Sequence, residues 1–208
     1  MMQWVVVALL VVALVTPLPF WWNIRLIDVV RNFWTKGLHI FKVSPLNVDT
    51  CVDNLFAFDD VMRSHGVPFW LSEGTALGCV RDNGFIPWDD DVDTGVACEH
   101  RERFISDVLP QLQKSGFVLT FVTNGSTFFG FFRNGEKLDV DFACQGNRCQ
   151  ACRTSFALCD TCDDMVMKLG LHSRDFMGRS FLVPGPEYLE YLYGPTWRTP
   201  NQKKDIMV

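Results

Sequence analysis

Gly84-Phe85-Ile86-Pro87-Trp88-Asp89-Asp90-Asp91-Val92-Asp93 is the stretch on which the reading of this 208-residue chain turns. Four carboxylates in five residues repel one another unless a cation sits among them. The apolar residues before them place the run against a packed surface, not in a solvated acidic tail. In a strand, side chains at i and i+2 share a face. Asp91 and Asp93 therefore point the same way while Val92 enters the core, and Asp89 joins them if the extended conformation reaches back that far. Such a pair suits a hard divalent cation, magnesium or manganese, which takes oxygen ligands and keeps positions open for phosphate groups.

Working outward, a third carboxylate is expected from Leu138-Asp139-Val140-Asp141-Phe142. Asp139 and Asp141 share one face of a strand able to pair beside the first. On the other side, Gly74-Thr75 stands at a strand-to-helix junction, where backbone N–H groups and the positive end of the helix dipole favour phosphate oxygens. Arg81 is either a positive charge near a leaving group or one half of a structural ion pair. The competing reading of the acidic run is a calcium loop. Asp89, Asp91 and Asp93 match the first, third and fifth positions of an EF-hand, but Thr94 stands where glycine belongs and His100 where glutamate belongs. A solvated turn explains an isolated Asp cluster, yet it leaves the second Asp pair and the Gly-Thr junction unexplained.

Composition limits the alternatives. With 48% apolar and 21% charged residues the chain is a globular unit with a sizeable core. A net charge of -5 with scattered Lys and Arg gives no footprint for a nucleic-acid polymer. The periodicity predicts an α+β domain over residues 44–208. Its elements are a helix from the Ser44-Pro45 signal to Gly66, a strand over 68–71, a helix over 75–82, a turn at Asn83-Gly84 and a strand over 91–98. A helix over 99–115 follows, then strands over 117–123, 127–133 and 137–143 joined at Asn124-Gly125 and Asn134-Gly135, and a short helix from Pro186 through Tyr193.

Residues 4–15 are an unbroken apolar run, and with 16–22 they approach the length of a bilayer span. Residues 1–22 are thus a signal anchor or a signal peptide, and 23–43 a stem. Trp21 and Trp22 suit an interfacial belt and favour the anchor. Arg25, Arg31 and Lys36 favour a cytosolic domain, whereas eight cysteines and the Asn124-Gly125-Ser126 sequon favour a lumenal one in the secretory pathway. A polar insertion over 144–163 holds Cys149, Cys152, Cys159 and Cys162 as two CxxC pairs, which fit a structural zinc site or disulfides. Cys51, Cys79 and Cys98 have apolar surroundings and read as core.

The residues from Trp70 to Arg81, the Gly84 to Asp93 stretch, Lys137-Leu138-Asp139-Val140 and Tyr193-Gly194-Pro195-Thr196-Trp197 together resemble the LicD family of phosphocholine transferases and fukutin-type proteins over about residues 45–200. The resemblance implies a nucleotidyltransferase-type mixed sheet flanked by helices. It also implies metal-dependent transfer of a phosphorylated alcohol, phosphocholine or ribitol phosphate, from a CDP-linked donor to a glycan. By motif position Asp91, Asp93 and Asp139 are the metal ligands and Asp89 a supporting acid. The family usually carries an aromatic or apolar residue where Asp141 stands. A catalytically silent metal-binding module on the same fold is the alternative.

Overall fold

The structure, a computed structural model, describes residues 46–123, 127–143 and 170–202. The expected membrane segment, the stem, the sequon and the cysteine insertion, with Cys149, Cys152, Cys159 and Cys162, lie outside the described residues. Among the described residues no helix is long and apolar enough to cross a membrane.

Helix α1, Val48–Ser64, buries Cys51, Leu55, Phe58 and Met62 along one face. It starts later than the Ser44-Pro45 signal suggests, because Asn47 caps it: its Oδ1 accepts the Thr50 N–H at 3.0 Å. Gly66 then turns the chain out with φ at 62° into β1, Trp70–Leu71. Helix α2, Glu73–Arg81, leads to β2, Asp91–Ala97.

A broken helical run over 98–114 follows. It contains a π turn, Phe104–Val108, ahead of the α segment Leu109–Lys114. Pro110 explains the break, since it has no N–H to donate to the preceding turn and its ring crowds that turn. Phe104, Val108 and Leu112 still reach the core, whereas Ile105 is exposed.

Strands β3, Val118–Val122, β4, Phe128–Arg133, and β5, Glu136–Ala143, form the expected meander. Its second turn is the left-handed pair Asn134 (φ 53°) and Gly135 (φ 91°). The hairpin β6, Leu171–Phe176, and β7, Arg179–Pro184, was not anticipated. Helix α3, Pro186–Tyr193, is the last helix of the described region.

These strands make one mixed sheet in the order β3-β4-β5-β2-β1-β7-β6. β2 runs parallel to β5, and β1 parallel to β7; the other neighbours are antiparallel. Alternation gives each central strand two characters. Val92, Val96, Leu138, Val140 and Phe142 are buried on one face, where Phe104 packs edge-on to Phe142 at 5.2 Å and to Phe129 at 5.3 Å. Asp91, Asp93, Lys137, Asp139 and Asp141 occupy the other face.

Two cysteines lie as expected: Cys51 and Cys79 are buried thiols outside any disulfide, and burial pushes the Cys79 thiol up to about 11. Cys98 does not. It packs against the core but is half-buried just past β2 and disulfide-bonded, so the reading of Cys98 as a buried core residue is corrected.

Trp70 pairs with Gly95 across β1 and β2 and lays its indole where a Gly95 Cβ would go. Gly95→Ala is therefore expected to force the ring aside and cost about 1–3 kcal/mol of stability. A urea denaturation midpoint equal to that of the parent would contradict this packing.

Candidate active site

The parallel register of β2 and β5 brings the acids together. Asp93 lies opposite Asp139, and Asp91 opposite Lys137. Carboxylate oxygens of Asp91, Asp93 and Asp139 lie within 4.8 Å of one another, and those of Asp89, Asp90 and Asp91 form an adjoining group. Asp141 sits one alternation further along β5, opposite Gly95, and falls outside both groups. Of the two candidates for the third carboxylate, geometry thus selects Asp139. The EF-hand reading fails on backbone grounds, because Asp91, Asp93 and Thr94 belong to a paired strand and not to a loop between helices.

Helix α2 holds the set from its N-terminus. The Gly74 N–H donates to Asp93 Oδ2 at 3.2 Å, and the Thr75 hydroxyl oxygen accepts the Asp93 N–H at 2.8 Å. The helix end thus stabilises an anion, and in this structure that anion is the protein's own carboxylate. The missing side chain at Gly74 also makes room for Asp89, whose carboxylate a Cβ there would overlap. Immediately before it, Glu73 takes a left-handed φ of 42°, a strained conformation for a residue with a Cβ. Asp89 is further fixed by the Asp90 N–H, which donates to its Oδ1 at 3.1 Å.

Electrostatically the site is overcharged. Burial first, then the negative charge of Asp91, pushes the Asp89 carboxyl up to about 7. Burial does the same to Asp139, to about 7, even though Lys137 pulls it down. Burial and then Asp91, Glu73, Asp89 and Asp139 hold Asp93 well above the ordinary carboxylate range. Among the described residues the cation in contact is Lys137, whose Nζ lies 2.7 Å from Asp139 Oδ2 and also touches Asp91 Oδ2. Burial pulls its ammonium down, but Asp91 and Asp139 outweigh that and raise it well above the usual lysine value.

Asp139 is 4% exposed, and its Oδ1 is buried without a hydrogen-bond partner among the described residues. A buried oxygen left unpaired costs free energy that a bound cation would recover. The donor set is all carboxylate, and its spacing allows one oxygen-coordinated divalent ion to reach all three. Asp91, Asp93 and Asp139 therefore fit magnesium or manganese.

Arg81 is not brought to this set. It ends α2, about 10 Å along the axis from Gly74, and its guanidinium pairs with Asp82 at 2.8 Å and donates to the Trp197 carbonyl at 3.3 Å. That is the structural ion pair, tying α2 to the closing segment. Two residues of the site carried no role in the sequence reading. Lys137 looked like an ordinary strand lysine. Tyr193 is buried, and burial, then the negative charge of Asp93, Glu73 and Asp89, pushes its phenol well above its ordinary range.

Comparisons with known proteins bear on the same span. The family described as LicD/FKTN/FKRP, nucleotidyltransferase domain, matches residues 66–185, a range that holds every acid of the site. Ribitol-5-phosphate transferase FKTN of Homo sapiens is 30% identical over 160 residues, which cover 67% of this chain and 31% of that protein. An uncharacterized protein of Rickettsia prowazekii is 34% identical over 102 residues, 49% of this chain and 35% of that protein. Lipopolysaccharide cholinephosphotransferase LicD of Haemophilus influenzae is 34% identical over 55 residues, 26% of this chain and 21% of that protein. The chain spans about a third, or less, of the length of these relatives. Among solved structures, lincomycin-bound lincosamide antibiotic adenylyltransferase LnuA is similar with a TM-score of 0.49 and 12% identity, over 69% of this chain and 86% of that chain.

The raised carboxyls have a consequence for stability. Between its ordinary value of 3.8 and about 7, Asp89 keeps a proton in the folded domain that the unfolded chain has released. Metal-free protein therefore loses stability as pH rises through that window. In EDTA, Asp89→Asn is expected to lose less melting temperature than the parent between about pH 5 and about pH 7.5. Equal losses would reject the shift.

Proposed function

The chain belongs to the LicD family, and from that premise we propose that it transfers a phosphorylated alcohol, ribitol phosphate or phosphocholine, from a CDP-linked donor to a glycan hydroxyl. One observation carries the reading. Two parallel strands and one strained helix start converge on three carboxylates, of which one buried oxygen still lacks a partner among the described residues.

The chemistry follows from what the site supplies. The acceptor oxygen forms a bond to the donor phosphorus, the bond from phosphorus to CMP breaks in line with it, and the hydroxyl proton passes to Asp89, the half-buried carboxylate outside the three ligands. Asp91, Asp93 and Asp139 hold a magnesium or manganese ion, which when bound supplies positive charge for the phosphate oxygens. Thr75 and Gly74 fix Asp93 by hydrogen bonds to its backbone N–H and its carboxylate, so that this ligand is set before substrate arrives. Tyr193, kept protonated in its buried position, gives the acidic set a neutral wall.

The compartment is part of the proposal. A disulfide at Cys98 supports a domain in the oxidising lumen of the secretory pathway, tethered through residues 1–22. On expression in mammalian cells, an endoglycosidase-sensitive mass shift that disappears in Asn124→Gln is the expected sign of this orientation.

The activity is tested with CDP-ribitol, CDP-choline and CDP-glycerol, each with a glycan acceptor and with magnesium or manganese, by following CMP release. Loss of residues behind a metal ligand typically costs 10–100-fold, so Asp93→Asn or Asp139→Asn, removing a ligand itself, should lower the rate by about 100-fold or more. The loss should come with a circular-dichroism spectrum like that of the parent. Full rates in either variant would reject the ligand assignment, and no CMP release from any donor would favour the catalytically silent module.

A further inference from the structure

Lys137 contacts two of the three carboxylates that the proposed ion would share. It is the register partner of Asp91 on β5, and its ammonium bridges Asp91 Oδ2 and Asp139 Oδ2, the latter at 2.7 Å. Both are oxygens of the three-carboxylate set. A divalent ion binds carboxylate oxygen at about 2.1 Å, so an ammonium kept at its present distance from Asp139 would lie within about 5 Å of that ion. Two cations that close, sharing the same carboxylates in a partly buried site, repel.

We propose that Lys137 is a tethered counter-cation, a positioning residue that holds Asp91 and Asp139 together in the metal-free domain and is displaced when a divalent ion takes their oxygens. The residue type suits the task. An ammonium on four flexible methylenes leaves more readily than an arginine fork, which would bind both carboxylates bidentately. The side chain is 25% exposed, so it has solvent to swing into.

The cost and benefit are separable. While the ammonium is in place, only the fraction of molecules with an open site binds metal, and apparent affinity falls by that fraction. In exchange, like-charged side chains in register on neighbouring strands are kept from forcing the sheet apart before metal arrives. This argument rests on the reading above only in taking Asp91, Asp93 and Asp139 as the ligands of a divalent ion.

The test is a calorimetric titration of Mn²⁺ into the chelator-stripped full chain, parent against K137M. Removing the competitor should tighten Mn²⁺ binding by about tenfold or more. It should also lower the melting temperature in EDTA and enlarge the rise that Mn²⁺ produces. A scaffold role alone predicts the opposite change in affinity, so equal or weaker binding by K137M overturns the inference and leaves the metal site standing. If Mn²⁺ binds neither chain, the ligand assignment falls and this inference with it. The parent protein offers a second readout that does not depend on K137M folding. Acylation of Lys137 by acetic anhydride, followed by peptide mass spectrometry, should rise severalfold on saturation with Mn²⁺, and unchanged or reduced labelling overturns the displacement.

Discussion

Negative charge packed against a β-sheet is the constraint around which this domain is arranged. Asp93 and Asp139 are buried side by side on adjacent parallel strands, with Asp89 and Asp91 half-buried beside them. Carboxylates at that density are tolerated only with compensation, and every nearby element supplies some of it. The N-terminus of α2 turns its dipole and the Gly74 N–H on Asp93; Lys137 spans Asp91 and Asp139. What remains uncompensated among the described residues is visible as the lone Asp139 Oδ1 and as carboxyls pushed toward neutrality by burial. A structure that merely needed to fold would replace such a set with apolar residues at no loss.

The opposite face of the same strands makes the arrangement rigid. Val92, Val96, Leu138, Val140 and Phe142 sit in a core of phenylalanine rings contributed by α1, the run over 98–114 and the meander. Side chains alternate with a period of two, so sliding β5 by one residue along β2 would put Leu138 and Val140 among the acids and Asp139 into the rings. The hydrophobic face therefore sets which aspartates meet. The Thr94 hydroxyl adds to this by donating to the Asp139 carbonyl at 2.8 Å, a cross-strand bond between the two strands that carry the clustered acids.

Much of this is legible in the chain because it depends on local period. The meander follows from its Asn-Gly turn and alternating apolar residues, and the shared face of Asp91 and Asp93 follows from the strand itself. Parallel pairing of β2 and β5 does not, since register between strands more than 40 residues apart is decided by tertiary packing. Hence Asp139 and Asp141 looked equivalent until their partners across the sheet, Asp93 and Gly95, were known. The β6–β7 hairpin was missed for a different reason. β6 is a sheet edge that buries only Phe176, so it shows no alternation, and Met177-Gly178 is an uncommon way to make a left-handed turn. Lys137 was passed over because a lysine in a strand usually faces water, and only the register shows that this one faces two aspartates.

Exposure also gives the site a direction. Asp93 and Asp139 are buried, Asp91 and Asp89 are half-buried, and Asp90 is exposed, so the acids form a gradient from the sheet outward. Trp70 over Gly95 and the first turn of α2 against Asp93 and Asp89 cover the inner side. A ligand therefore meets the set from the side of Asp89 and Asp90, which lie on the irregular segment before β2 and not on the sheet. That division of labour is physically sensible. The innermost groups are held by strand register and helix dipole, whereas Asp89 at the mouth is held by local turn hydrogen bonds, its N–H donating to the Ile86 carbonyl at 3.1 Å and its Oδ1 accepting the Asp90 N–H.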